Sequence, residues 1–225
     1  MAVDDRERFQ HDIARTVLAE LGEDGFALAG GGAVKAHGLS DRPTDDVDIF
    51  CQSPIDEELF QSHVDRALNA LGASGYTVEI EQRVPLFVRV NVEQPSGLVC
   101  HLDFAVNWRS EPPVIFEVGP VVSERDSVAG KLAALYSRAE PRDFVDVGRV
   151  RAQRRYTDDE LLEIARSDDP GFEATYFAGR LAHIRHLTAD DVAEYEVSAE
   201  EFEQIQRQTM SWALELIAEH NPPTG

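Results

Sequence analysis

The sequence predicts an α+β fold in which a mixed-sheet domain, residues 1–120, precedes an all-helical domain, residues 121–225. The first half contains short runs rich in β-branched and aromatic residues, which are typical of strands. The second half repeats apolar residues at helical spacing. Gly119-Pro120 separates the two patterns. Strands that are followed by a run of helices are typical of the α+β class.

Each predicted element has a local signal. Apolar residues at helical spacing predict the first helix, and Ser53, followed by proline, is a plausible N-cap of the second long helix. In order, the first half is predicted to contain a helix over 8–21, a strand over 26–29, a short helix over 33–37, a strand over 47–51, a helix from 53 to about 71, and strands over 76–80, 86–92, 98–106 and 114–118.

The second half is predicted to contain only helices. Asp126 or Ser127 is expected to begin the first of them, and Thr157 with Glu160 forms the pattern of a capping box. The predicted helices cover 124–138, 141–154, 158–167, 171–185 and 198–219.

Composition and charge exclude some classes of function. The 225 residues include 43% hydrophobic and 28% charged residues, which is a globular composition. The net charge of −21 opposes general binding to DNA or to anionic membranes, because such a surface repels phosphates. It does not exclude an enzyme with a local basic pocket. Residues 111–155, with eight bases and seven acids, are the only stretch without net negative charge.

Two further features indicate the compartment. Cys51 and Cys100 are the only cysteines, which fits a reducing cytosol better than a disulfide framework. The N-terminus lacks the pattern of a signal peptide, and no apolar run approaches the ~20 residues that span a bilayer. We therefore expect a cytoplasmic protein without a membrane partner.

The pattern Asp46-Val47-Asp48-Ile49 indicates a metal site. Side chains alternate along a strand, so Asp46 and Asp48 face one side while Val47 and Ile49 face the core. Two carboxylates on one face repel each other unless a cation lies between them, and hard oxygen ligands suit Mg²⁺. The alternative is a solvated acidic strand end.

Three glycines precede this strand. Gly30, Gly31 and Gly32 lie between a predicted strand and a predicted helix, where backbone amides can approach a phosphate closely. A glycine triplet alone often marks only a turn. A strand, a glycine turn, a helix and then Asp-x-Asp is a more specific combination.

Asp103 supplies a third candidate carboxylate, in a run of apolar residues that predicts a strand. Burial of a lone carboxylate is unfavourable without a partner, and a metal shared with Asp46 and Asp48 would supply one. The alternative is an edge-strand acid that faces water. His101 would lie on the same side and is expected at the surface.

A basic cluster follows in the helical half. Lys131 and Arg138 share a helix face, and Arg142, Asp143 and Asp146 lie near the start of the next helix. These residues can bind a triphosphate or can form a salt-bridge network between the two helices. For Asp146 the salt-bridge interpretation is favoured.

Together these motifs resemble the AbiEii/AbiGii-type nucleotidyltransferases of the DNA polymerase β-like superfamily, which include toxins. The matching segments run from about residue 26 to 150: Leu28-Ala29-Gly30-Gly31-Gly32, Arg42-x-Thr44-x-Asp46-Val47-Asp48-Ile49-Phe50, Leu102-Asp103-Phe104, and Lys131-x-x-Ala134-Leu135-x-x-Arg138-x-x-x-Arg142-Asp143-x-x-Asp146. Many members of the superfamily have Gly-Ser where this chain has Gly31-Gly32, so backbone amides would have to bind the phosphate here. Thr44 offers a nearby hydroxyl.

The resemblance implies transfer of a nucleoside monophosphate from an NTP to an acceptor. Asp46, Asp48 and Asp103 would hold two Mg²⁺ ions. The helical domain would complete the nucleotide site, with Lys131 as a catalytic residue on the phosphates. The implied nucleotide-binding residues are Gly30, Gly31, Gly32, Thr44, Lys131, Arg138, Arg142 and Asp143.

The acceptor stays open between two enzymatic alternatives. A toxin-like enzyme would act on RNA, with the tRNA 3′ end as the specific hypothesis, and would have a cognate antitoxin. An enzyme with a cationic small-molecule acceptor, such as an antibiotic, fits the acidic composition. A non-catalytic binding module with the same fold is a third interpretation.

The carboxylates also predict a strand pairing. If Asp48 and Asp103 bind one metal, their strands are neighbours. An antiparallel pairing with these residues opposed would place Cys51 opposite Cys100.

Overall fold

The computed structural model describes residues 3–220. Its eight α-helices are α1 (Val3–Leu21), α2 (Gly30–Ala36), α3 (Glu57–Ala73), α4 (Glu124–Ser137), α5 (Pro141–Ala152), α6 (Asp158–Asp168), α7 (Ala174–Leu181) and α8 (Ala199–His220). Its seven strands are β1 (Phe26–Leu28), β2 (Asp46–Gln52), β3 (Thr77–Val84), β4 (Phe87–Glu93), β5 (Val99–Asn107), β6 (Val114–Phe116) and β7 (Gly119–Val121). These elements confirm the predicted α+β class.

The described chain forms two compact units. The first contains the chain up to His37 together with Pro43–Ser127, and it holds the whole sheet. The second contains Gly38–Arg42 and the chain from Val128 onward. The short segment before β2 thus belongs to the helical unit, although its neighbours in sequence belong to the first.

The sheet has the strand order β3-β4-β5-β2-β1-β7-β6 and is mixed, as predicted. β2 pairs with β5, and β1 with β7, in parallel; the other neighbours are antiparallel. A single core of apolar side chains from the sheet, α1 and α3 holds this unit together. Phe26 of β1 stacks on Phe60 of α3 within it.

Two local predictions in this unit are wrong. Helix α3 begins at Glu57 rather than at residue 53, because Asp56 is its N-cap and accepts hydrogen bonds from the amides of Glu58 and Leu59. The Gly-Pro pair at 119–120 does not break the chain after a strand. It lies inside β7, which inserts between β1 and β6.

The second unit is helical, as predicted. Thr157 caps α6 and forms the capping box with Glu160. The buried indole of Trp212 on α8 packs edge-on against Phe177 of α7, with the Arg151 guanidinium 4.7 Å from the indole centroid. The segment predicted as one helix over 171–185 ends as a 3₁₀ helix (Ala182–His186), and a second 3₁₀ helix (Ala189–Tyr195) was not predicted.

Within residues 3–220, no helix is both long enough and apolar enough to cross a membrane.

Candidate active site

Strand β2 presents its two aspartates on one face. Asp46 and Asp48 are half-buried, whereas the alternate residues Val47 and Ile49 lie in the core. This alternation confirms the predicted orientation. The two carboxylates therefore project from the sheet face opposite the apolar core.

Asp103 of β5 lies directly opposite Asp48 of β2. Residues opposed across neighbouring strands project to the same face, so Asp46, Asp48 and Asp103 share one face of the sheet. The predicted adjacency of the two strands is correct, but their direction is not, because β2 and β5 run parallel. Cys51 consequently lies opposite Val106, and the predicted contact with Cys100 does not form.

Arg89 of β4 is the direct partner of Asp103. The two residues are opposed across the β4–β5 pair, and Nε and Nη2 of Arg89 donate to the two carboxylate oxygens at 2.7 and 2.6 Å. The Asp103 side chain is 8% exposed, and the Arg89 side chain is 40% exposed. Asp103 therefore does not need a metal as its partner in order to be buried, because Arg89 already neutralises it.

Gly30 is fitted against Asp48. Its φ of +55° lies in the left-handed region, and a Cβ at this position would lie 1.7 Å from Oδ2 of Asp48. The amide of Ala29 also donates to the Asp48 carbonyl at 2.8 Å. A side chain at residue 30 would displace the Asp48 carboxylate, so the position requires glycine for two independent reasons. The triplet forms the first turn of α2, and not the loop before it that the sequence predicts.

A cavity of about 540 Å³ opens beside these residues within the first unit. Thr44, Asp46 and Gly32 contribute to its wall, together with the α1 and α2 side chains. The Thr44 carbonyl accepts a hydrogen bond from Nε2 of Gln10 at 2.7 Å, which fixes the segment that leads into β2. Thr44 and Asp46 therefore share one concave surface.

The second unit contains a separate buried charge cluster. The Asp146 side chain is 3% exposed and lies 2.8 Å from Nζ of Lys131. Arg42 donates to both Asp146 oxygens at 3.0 and 3.2 Å, and its guanidinium lies over the Tyr195 ring. Burial would raise the pKa of Asp146, but Lys131 and Arg42 outweigh that effect and hold the pKa below its ordinary value. The favoured salt-bridge interpretation of Asp146 agrees with this arrangement.

The other basic residues of the predicted nucleotide site are also paired. Arg138 donates to both oxygens of the fully buried Asp143, which raises the pKa of Arg138. Arg142 pairs with Glu140 at 2.9 Å. Within the described residues, Nε of Arg142 is buried and makes no hydrogen bond, so one donor of this guanidinium is unsatisfied. Lys131 on α4, Arg138 directly after α4 and Arg142 on α5 thus each lie beside a carboxylate.

The carboxylate face suits a hard divalent cation by its chemistry. Asp46 and Asp48 provide oxygen donors on one strand, and each oxygen of Asp103 has a lone pair beyond the one that Arg89 uses. Across residues 3–220, however, no three acidic, histidine or cysteine side chains are gathered closely enough to hold an ion as they stand. The carboxylate oxygens of Asp46, Asp48 and Asp103 are of the type that Mg²⁺ prefers, but the three side chains do not converge on one point in this structure.

The comparison with solved structures supports this fold. JHP933 from Helicobacter pylori is 16% identical, with a TM-score of 0.56 over 97% of this chain and 95% of that one. MenT4, a nucleotidyltransferase toxin from Mycobacterium tuberculosis H37Rv, is 15% identical, with a TM-score of 0.58 over 98% of this chain and 88% of that one. No protein of curated function matches the sequence.

The fold and the family match together define this protein as a nucleotidyltransferase. The family model described as nucleotidyl transferase AbiEii toxin, type IV toxin–antitoxin system, matches residues 13–216, and the chain belongs to this family. Family membership implies an NTP as substrate and an antitoxin as partner. The predicted family and the predicted enzyme class are both confirmed.

Two residues of these clusters had no assigned role in the sequence. Arg89 lies in a β-rich run between Val88 and Val90, which are both buried. The alternation places Arg89 on the polar face, but only the register identifies Asp103 as its partner. Arg42 stands inside the recognised motif, yet its partner Asp146 is more than a hundred residues away in sequence.

Proposed function

We propose that this enzyme transfers a nucleoside monophosphate from an NTP to a hydroxyl group of an RNA, with the tRNA 3′ end as the specific acceptor. The new bond joins the acceptor oxygen to the α-phosphorus, the α–β phosphoanhydride bond breaks, and pyrophosphate leaves. The observation that carries the proposal is the set of three carboxylates, Asp46, Asp48 and Asp103, on one sheet face beside the Gly30 turn.

The reaction is proposed to require Mg²⁺, with two ions as the family resemblance implies. Asp46 and Asp48 would hold both ions, and Asp103 would join the one nearer the acceptor. When bound, the metal would neutralise the triphosphate and lower the pKa of the acceptor hydroxyl.

The protein groups have separate proposed roles around that centre. Asp103 would accept the proton of the attacking hydroxyl, and Arg89 holds this carboxylate in a single orientation through two hydrogen bonds. The amides of Gly30, Gly31 and Gly32, with the Thr44 hydroxyl, would contact phosphate oxygens. Gly30 supports this role because it allows the backbone to approach Asp48 closely.

The helical residues would bind the triphosphate electrostatically. Lys131 has three N–H donors, and the structure shows Asp146 as a partner for its ammonium group. Nε of Arg142 is an unsatisfied donor among the described residues. Arg138 would add charge while Asp143 fixes its guanidinium. These contacts would stabilise charge that develops as pyrophosphate leaves.

A second acceptor class, a cationic small molecule, is favoured by the charge around the carboxylates. Glu81 of β3 lies 3.6 Å from His101 of β5, and its negative charge adds to that of the three aspartates. In addition, Arg149 and Arg151, which contribute to the positive charge of residues 111–155, are mostly buried and engaged in salt bridges. An acidic surface attracts a polyamine-like acceptor and repels a phosphate backbone.

The test is transfer from NTPs labelled at the α-phosphate. Each NTP is incubated with the enzyme and either total RNA or a set of aminoglycosides, with Mg²⁺ or with EDTA. Mg²⁺-dependent label in RNA supports the proposal, and label in the aminoglycoside supports the second acceptor class instead. NTPs labelled at the γ-phosphate serve as the control, because that label must leave with pyrophosphate. Label in neither acceptor contradicts both assignments.

A further inference from the structure

Arg89 stands between solvent and Asp103 on the carboxylate face. We infer that Arg89 is a positioning residue that competes with a divalent cation for Asp103, so that an ion binds there tightly only when a triphosphate supplies negative charge. The inference rests on the proposed function, because it assigns Asp103 to the metal centre.

The first support is the geometry of the pair. Arg89 and Asp103 are opposed across β4 and β5, so the backbone register and not a chance rotamer brings them together. Two parallel hydrogen bonds of 2.7 and 2.6 Å engage both carboxylate oxygens. The guanidinium also lies 5.8 Å from the centroid of the half-buried Phe87 ring. Three contacts thus hold the arginine in place.

The second support is the charge around the guanidinium. The carboxylates of Asp103, Glu81 and Asp46 all act on the guanidinium of Arg89. Because an arginine guanidinium keeps its proton in proteins, Arg89 is a permanent positive charge among acidic side chains. It provides part of the neutralisation that a metal ion would otherwise provide.

The consequence for metal binding follows from electrostatics. A dication beside Asp103 would lie within a few ångströms of a fixed positive charge, and the two repel each other. Each oxygen keeps a lone pair, so binding is weakened and not abolished. A triphosphate carries several negative charges, which offset the repulsion. Arg89 would thereby couple metal loading at Asp103 to arrival of the nucleotide.

The experiment measures binding of Mn²⁺ alone by calorimetry, without nucleotide, to the full chain. Arg89→Met keeps the length of the side chain and removes its charge. We expect Arg89→Met to bind Mn²⁺ on the order of tenfold more tightly than the wild type. Arg89→Lys, which keeps the charge, is expected to bind as weakly as the wild type.

Two controls separate this effect from others. Arg83→Met removes the same charge from neighbouring β3, where Arg83 pairs with the exposed Asp65, and is expected to leave Mn²⁺ binding unchanged. Asp103→Asn in the Arg89→Met background is expected to abolish the gain. Thermal melts show whether each variant is folded, and Arg89→Gln replaces Arg89→Met if the latter is not.

Unchanged or weaker Mn²⁺ binding in the folded, uncharged Arg89 variant would overturn the inference. A gain that persists without Asp103, or that appears equally in Arg83→Met, would overturn it as well. The outcome is distinct from a failure of the proposed function. That function fails if nucleotidyl transfer survives loss of Asp46 or Asp48, whatever the affinity for Mn²⁺.

Discussion

Asp48 and Asp103 lie directly opposite each other on the neighbouring parallel strands β2 and β5. The carboxylate of Asp48 is flanked by Gly30, and that of Asp103 is held by Arg89. One acid therefore has a close backbone neighbour and the other has a fixed cation. This asymmetry gives the two opposed residues different environments on one sheet face.

Replacement of Gly30 by alanine is expected to impair both folding and activity. The added Cβ would clash with Asp48. The alanine would also have to adopt a left-handed backbone conformation, which costs about 1–2 kcal/mol by itself. Gly25→Ala is the matched control, because Gly25 also has a positive φ of +83° but open space around it. Chemical denaturation and transfer assays measure both variants. Equal losses of stability and of activity in the two would contradict the role of Gly30 beside Asp48.

Asp146→Asn is expected to destabilise the protein at pH 7 by about 3 kcal/mol, because Arg42 and Lys131 lose a buried countercharge. The folded-state pKa of Asp146 is lowered below 3.8, so its stabilisation is fully present above that pH. It is lost as pH falls through the lowered value. Urea unfolding of the wild type and of Asp146→Asn between pH 7 and pH 3 measures the difference in their free energies of unfolding. We expect this difference to become smaller only at the acid end of the range.

Asp158→Asn provides the comparison for that experiment. Asp158 pairs with Arg151 at 2.6 Å but is 34% exposed, so its loss is expected to cost less than about 1 kcal/mol. If Asp158→Asn destabilises as much as Asp146→Asn, burial does not explain the importance of Asp146.

Both thiols are expected to be unreactive in the folded protein. Burial raises the pKa of Cys51 to about 11 and that of Cys100 to about 12, so the thiolate is scarce at pH 8. Titration with a chromogenic disulfide should detect almost no thiol in the native state and both thiols in guanidinium chloride. Rapid modification of the native protein would contradict the burial of the two thiols, and a disulfide between them would contradict the parallel register of β2 and β5.

The sequence predicts the local parts of the site well because strand alternation is a local property. Asp46 and Asp48 face away from the core since the alternate residues Val47 and Ile49 are buried. The opposition of Asp48 and Asp103 also follows from one assumption, that both residues serve one site. The relative direction of β2 and β5 does not follow from this assumption, because Asp48 and Asp103 can be opposed in a parallel or in an antiparallel pair.

The direction was nevertheless accessible by counting elements. Helix α3 brings the chain back to the edge of the sheet where β2 begins, so β3 runs in the same direction as β2. The pairings of β3 with β4 and of β4 with β5 are both antiparallel, so β5 has the direction of β3. β5 must therefore run parallel to β2. Arg89 and Arg42 were not assigned because each depends on a partner that only tertiary structure brings near.

Asp46 and Asp48 of β2 are proposed to be essential for nucleotidyl transfer. The direct measurement is transfer of α-labelled NMP, under identical conditions, by Asp46→Ala, Asp48→Ala and Asp45→Ala. Asp45 is adjacent in sequence but its side chain is 88% exposed, so it controls for loss of a nearby negative charge. We expect the first two variants to fold normally and to lose transfer, whereas Asp45→Ala retains it. Transfer at the wild-type rate by folded Asp46→Ala or Asp48→Ala would show that these carboxylates are not catalytic.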